Sequence, residues 1–96
     1  MTVSFEAPVL AGSRPRAQQV LSTLPEGDLS GCVVELRCGS LIAAAASFAD
    51  EIVRTVLIDR GALRLEVGSV SDQEFIEYLK ERAEFYGVMD RLEFIS

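Results

Sequence analysis

Cys32-Val33-Val34-Glu35-Leu36, the interruption Gly39-Ser40, and then Leu41-Ile42-Ala43-Ala44-Ala45-Ala46-Ser47-Phe48-Ala49-Asp50-Glu51 decide the fold. The first five residues are a near-continuous apolar run. Such a run fits a central strand covered on both faces. Past the glycine, a tract of small and apolar residues leads to a serine. Apolar side chains then recur at helical spacing, at Phe48, Ile52, Val56 and Leu57. The pattern predicts a helix from about Ser47 to Asp59, with Ser47 as N-cap, Asp50 at N3 and Gly61 as its stop. Asp50, Glu51 and Arg54 are expected to face water.

The same alternation extends in both directions. Upstream, Val3 to Leu10 reads as a strand that stops at Ala11-Gly12. Ser13 caps the helix that follows, and Pro15 sits in its first turn, where a missing N–H costs little. Ala17, Val20, Leu21 and Leu24 form its apolar stripe, and Pro25 with Gly27 ends it. Glu26 to Ser30 is a loop. Downstream, Ala62 to Gly68 alternates Leu63, Leu65 and Val67 with Arg64 and Glu66, which predicts a half-exposed strand. Ser71-Asp72-Gln73-Glu74 reads as a capping box with Ser71 as the cap. The third helix runs to about Tyr86 and stops at Gly87, with Phe75, Ile76, Leu79, Ala83 and Tyr86 as its core stripe. Arg91 to Ile95 makes a short final strand. The order β-α-β-α-β-α-β predicts a single α/β domain over residues 1–96. It has a mostly parallel four-stranded sheet and three main helices.

The chain has 96 residues, of which 49% are hydrophobic, enough to fold one thin core. Lys and Arg number 9 against 15 Asp and Glu, a formal charge of −6. That balance argues against nucleic-acid binding, which starts from clustered positive charge, and against docking on anionic membranes. No apolar run approaches a membrane span, and Met1 to Glu6 lacks the regions of a signal peptide, so a cytoplasmic location is expected. Cys32 and Cys38 are read onto one strand. Six residues of strand separate them by about 20 Å, against the ~7 Å limit for a disulfide. Both are expected to be buried thiols.

The chemistry expected from this composition is sparse. The chain has no histidine, so the commonest general base is missing. No Gly-x-Gly-x-x-Gly or Gly-Lys-Ser/Thr phosphate cradle occurs. No catalysis, cofactor or metal is expected. Glu74, Glu77, Glu81 and Glu84 recur at helical intervals beside Lys80 and Arg82. They read as a solvated face or, alternatively, as a site for a basic partner. Tyr78 and Phe85 lie two helical turns apart, offset from the core stripe. They either cover the core edge or form a small aromatic contact patch. Ser47 is likewise open to two readings, a helix cap or a recognition or phosphorylation point at a helix start.

Val33-Val34-Glu35-Leu36, the interruption, and Ala46-Ser47-Phe48-Ala49-Asp50-Glu51 together resemble the STAS-like domain, a bacterial relative of the anti-sigma factor antagonists. Ser13-Arg14 with Ala17, Val20 and Leu21 is similar to the helix that precedes this motif in the family. The resemblance covers roughly residues 10 to 85. It implies a compact sheet with helices and a role in protein–protein switching, with an ATPase-type kinase or a sigma-factor regulator as partner. Antagonists proper carry Asp-Ser-Ser/Thr-Gly at this turn, with the first serine phosphorylated. By position, Ala45 and Ala46 stand for the aspartate and that serine, Ser47 matches the second serine, and Phe48 replaces the glycine. The usual phosphate acceptor is missing, so a fixed interaction domain fits better than a switched one. The expectation is therefore a non-catalytic protein–protein interaction module of a bacterial or phage regulatory system, binding a protein partner or a second copy of itself. Its contact residues are expected to be Ser47, Asp50, Glu51, Arg54, Tyr78 and Phe85. Two other readings stand beside it: a small-molecule or nucleotide sensor, and a host-directed inhibitor from a phage or mobile element.

Overall fold

A computed structural model describes residues 1–95. Its main sheet holds β1 (Thr2–Glu6), β3 (Val33–Arg37), β5 (Arg64–Gly68) and β6 (Leu92–Ile95), in that spatial order and all parallel. Helices α1 (Arg14–Leu21), α2 (Ala46–Val53) and α3 (Gln73–Phe85) lie on the connections. The α/β architecture with a parallel four-stranded sheet and three helices is the one the alternation predicts.

The strand order never reverses along the sheet. Right-handed crossovers taken always in one direction put every helix on the same face. The covered face carries Phe5, Val34, Leu36, Leu65 and Val67, all buried, packed against Phe48, Ile52, Phe75 and Leu79. The alternate residues Ser4, Glu35, Glu66 and Glu93 share one register row on the other face, which no element among the described residues covers. Strand β3 is thus internal, as its apolar run suggests, but it is covered on one face only. Glu35 and Arg37 keep the open face in water.

The first strand is shorter than expected. Pro8 has no N–H to give a ladder and fixes its own φ, so pairing with β3 ends at the bond from the Ala7 N–H to the Arg37 carbonyl, 2.9 Å. The chain then steps out and pairs again as β2 (Leu10–Ala11). Its partner is β4 (Ala43–Ala44), inside the tract of small and apolar residues, and the two form a separate parallel ribbon. Helix α1 has its Ser13 cap and its early proline, but it stops at Leu21 rather than near Leu24. The Ser22 and Thr23 hydroxyls bond back to the carbonyls of Gln19 and Val20 and end it there.

Two further boundaries differ from the pattern. Leu63 is 56% exposed and precedes β5 rather than joining its buried face. Cys32 and Cys38 flank β3, one just outside each end, and both thiols are free and buried. Burial pushes the Cys38 thiol up to about 12. Helix α3 closes as a Schellman motif: Gly87, at φ 73°, donates to the Glu84 carbonyl, and Val88 donates to that of Ala83. Phe75, Leu79 and Ala83 of its stripe are buried, while Ile76 and Tyr86 are half-buried.

Candidate functional site

The start of α2 sits where the ribbon meets the helical layer. The Ala45 N–H donates to the Ala11 carbonyl at 2.8 Å, so the last step of the ribbon sets the first step of the helix. Ala45, not Ser47, is the N-cap residue, and it offers no side-chain acceptor. Ser47 is displaced because the ribbon bond fixes Ala45 in the extended conformation, with φ −90° and ψ 157°, that a cap requires. The serine becomes the second helical residue and is half-buried. Past Val53 the helix widens into a π-helical segment, Arg54–Asp59, that ends as the Arg60 N–H reaches the Thr55 carbonyl.

The acidic pair that follows does not face water as a set. Ala17 of α1 and Ala49 of α2 are fully buried, and small residues let the two helices approach closely. Glu51 falls in that interface and is only 4% exposed. Its Oε1 accepts from Arg14 at 2.9 Å and from Arg54 at 2.6 Å, and its Oε2 from Gln18 at 3.4 Å. Burial alone would raise its pKa, but the bonds from Arg14, Arg54 and Gln18 overcome this and hold the carboxyl below its ordinary value. Asp50 accepts from Arg14 and from the Tyr86 hydroxyl, each at 2.7 Å. It is held low in the same way, against its own desolvation. The bond to Asp50, with burial, raises the Tyr86 hydroxyl. Arg54 is half-exposed and spans Glu51 and Asp59. Glu51 is therefore bound up in joining α1 to α2, with Arg54 held on it from the same helix, a role that helical periodicity within one element does not reveal.

The other expected residues divide. Ser47 and Asp50 share a shallow hollow of about 430 Å³ with Arg14, Glu81, Arg82 and Tyr86. Phe85 borders it: 69% exposed, it meets Tyr86 edge-on at 5.1 Å and carries the Arg82 guanidinium 4.7 Å above its ring. Tyr78 instead packs against the core. Arg14, Arg82 and Tyr86, which the sequence places on a helix start, a charged face and a core stripe, are not among the expected contact residues. Their importance comes from pairing between helices far apart in the chain.

The ribbon is an element that the sequence pattern does not predict. Val9 is 49% exposed, Leu10 64% and Ile42 70%, and the Ile42 N–H bonds to the Val9 carbonyl at 2.9 Å. Three large exposed apolar residues thus fall at the start of the ribbon, with Leu10 itself opposite Ala43 in the register. The signal available was the Leu41 to Ala46 tract, too apolar for a loop and too short for a helix.

Chemically, the α2 start offers arginine-paired carboxylates, an aromatic edge and an adjoining apolar ribbon. A carboxyl held ionised below its ordinary pKa has no proton to give near neutrality. Among the described residues no group of three or more His, Cys, Asp or Glu is placed to hold a metal, and no helix is long and apolar enough to cross a membrane. In comparison with known proteins, no family model, curated protein or solved structure matches the chain.

Proposed function

We propose that this chain is a non-catalytic, cytoplasmic protein-interaction module of a bacterial or phage regulatory system. It docks through the β2–β4 ribbon and the adjoining start of α2. The observation that carries the reading is the exposure of Leu10 in β2 and of Ile42 immediately before β4, at 64% and 70%. Single exposed apolar residues are ordinary, whereas a group of them on one short ribbon marks a contact surface. A ribbon with open edges also suits strand addition by a partner.

The resemblance to STAS-like domains supports the same surface, because the Ser47 to Glu51 motif opens the helix into which the ribbon runs. The family implies an ATPase-type kinase or a sigma-factor regulator as the partner class. Ala46 at the position of the phosphorylated serine favours a contact that is not switched by phosphate.

The test is affinity capture from bacterial lysate, identification of the captured protein, and titration of the purified pair. Leu10→Glu and Ile42→Glu each place a charge on the ribbon and leave the core intact. Both variants are expected to melt close to the parent and to bind at least about tenfold more weakly, a loss of roughly 1.4 kcal/mol. Parental affinity in both variants would remove the ribbon from the interface and end this reading.

A further inference from the structure

A second cavity, of about 460 Å³, opens on the uncovered face of the main sheet at the carboxyl ends of its strands. Its floor is the last register row, Glu6–Arg37–Gly68–Ile95, one residue from each strand. The turn at Gly39-Ser40 and the residue Ser69 form its rim. The hollow exists because Gly68 carries no side chain where its neighbours do. A Cβ built there meets nothing within 4 Å. Ser69 follows with φ 59°, a left-handed conformation that costs energy in any residue but glycine and that clusters at binding sites.

Charge narrows the class of ligand. Glu35 is engaged by Arg37 at 2.8 Å. Glu6 makes no ion pair within 4 Å among the described residues, though it lies near enough to Arg37 to help raise that guanidinium. On the open face as a whole Glu6, Glu35, Glu66 and Glu93 outnumber Arg37 and Arg64, four acids to two bases. All-parallel sheets are rarely left bare on one side, and what covers this one must meet a net negative surface. The hollow also adjoins the ribbon. Ile42 lies two residues beyond Ser40 and Val9 three beyond Glu6, so chain geometry keeps them within about 7 to 11 Å.

We propose that this hollow receives an arginine side chain of the protein partner inferred above, with its guanidinium on Glu6 and Glu35 and its stem along Ile95 over Gly68. The proposal rests on the interaction-module reading and names the partner's chemistry: an arginine set beside an apolar residue that meets the ribbon.

The direct test is an amide NMR titration of the full chain with acetyl-arginine-amide, with acetyl-glutamate-amide and inorganic phosphate as counter-probes. The arginine probe is expected to shift the amides of Glu6, Arg37, Gly39, Ser40, Gly68 and Ser69, less so at high salt. Gly68→Leu fills the hollow from the open face and should abolish the response. Glu6→Gln should weaken it about two- to fivefold, as expected for an exposed pair. Arg37→Ala frees Glu35 and should strengthen it. If Gly68→Leu does not fold, Glu6→Arg at an exposed strand end makes the same test by repulsion.

Four outcomes would each overturn the proposal: no shift at these amides, equal shifts along the acidic residues of α3, a stronger response to phosphate than to arginine, or the same shifts produced by raising the protein's own concentration. Ile42→Glu separates the two readings, since it removes the ribbon contact and should leave arginine binding unchanged. A Gly68→Leu chain that captures the partner as tightly as the parent would refute the arginine site and leave the ribbon interface standing.

Discussion

The guanidinium of Arg14 lies 2.9 Å from the Oε1 of Glu51, a carboxylate 4% exposed, and so fastens α1 to α2. The same nitrogen reaches Asp50 at 2.7 Å, and Arg54 closes on Glu51 from the other side at 2.6 Å. A buried carboxylate with two guanidinium partners is costly to disturb from either end, because whatever remains is left with an unmatched charge. Glu51→Ala is expected to destabilise the fold by about 1–3 kcal/mol in denaturant unfolding. Arg14→Ala should cost less, since Arg54 stays on Glu51. The double variant should fall short of the sum by about 0.5 kcal/mol or more, the mark of a coupled pair. Strict additivity would show that the network is ornamental.

Acid should act through the same carboxylates. Asp50 and Glu51 both have pKa values below their ordinary 3.8 and 4.5 in the folded chain. The folded state therefore binds fewer protons than the unfolded state in that range, and stability falls as protons are added. Their contribution should be fully present above about pH 5 and lost as the pH drops below the ordinary values and through the lowered ones. Stability measured between pH 7 and pH 3 should show this acid limb, and Glu51→Gln should flatten it. An unchanged limb in Glu51→Gln would place the acid sensitivity elsewhere.

The helix starts make a paired prediction. Asp72, not Ser71, caps α3, its Oδ1 accepting from the Glu74 N–H at 3.2 Å. Asp72→Ala should cost about 0.5–2 kcal/mol, and Ser71→Ala should stay within about 0.5 kcal/mol. At α2 the cap position holds Ala45, which has an extended backbone and nothing to accept with. Ala45→Ser is expected to stabilise by about 1 kcal/mol, and Ser47→Ala to change little. Melting curves on the four variants decide the matter; a large loss in Ser47→Ala would restore the serine as cap.

Cys38 should resist alkylation. Its side chain is buried and its pKa is pushed up to about 12, so almost no thiolate exists at neutral pH. Mass spectrometry after iodoacetamide treatment should show Cys38 labelled only at the rate at which the chain opens. Adding denaturant should speed that labelling steeply. Fast labelling of Cys38 in the native protein would contradict its burial.

The elements themselves were legible in the sequence because they follow from local patterns. The apolar run at Val33–Val34, the helical spacing of Phe48, Ile52 and Val56, and the glycine stop at Gly87 each depend on residues close in the chain. Strand, helix and connection then force a parallel sheet. What stayed hidden depends on which residues meet across the fold. Glu51 and Arg54 read as solvated because a helix pattern shows which side of its own axis a residue takes, not what packs against that side. Only the seating of α1 against α2 makes that side an interface and Arg14 its counter-charge. Cap positions shifted for a similar reason: the bond from Ala45 to Ala11 anchors the start of α2 from another strand, and no local rule foresees it. The open sheet face, the exposed ribbon and the hollow over Gly68 were also decided by tertiary structure. The bare face arises from a strand order that never turns back and sets every crossover on one side, the ribbon from the break in pairing at Pro8, and the hollow from the place that this register gives Gly68 on the open face.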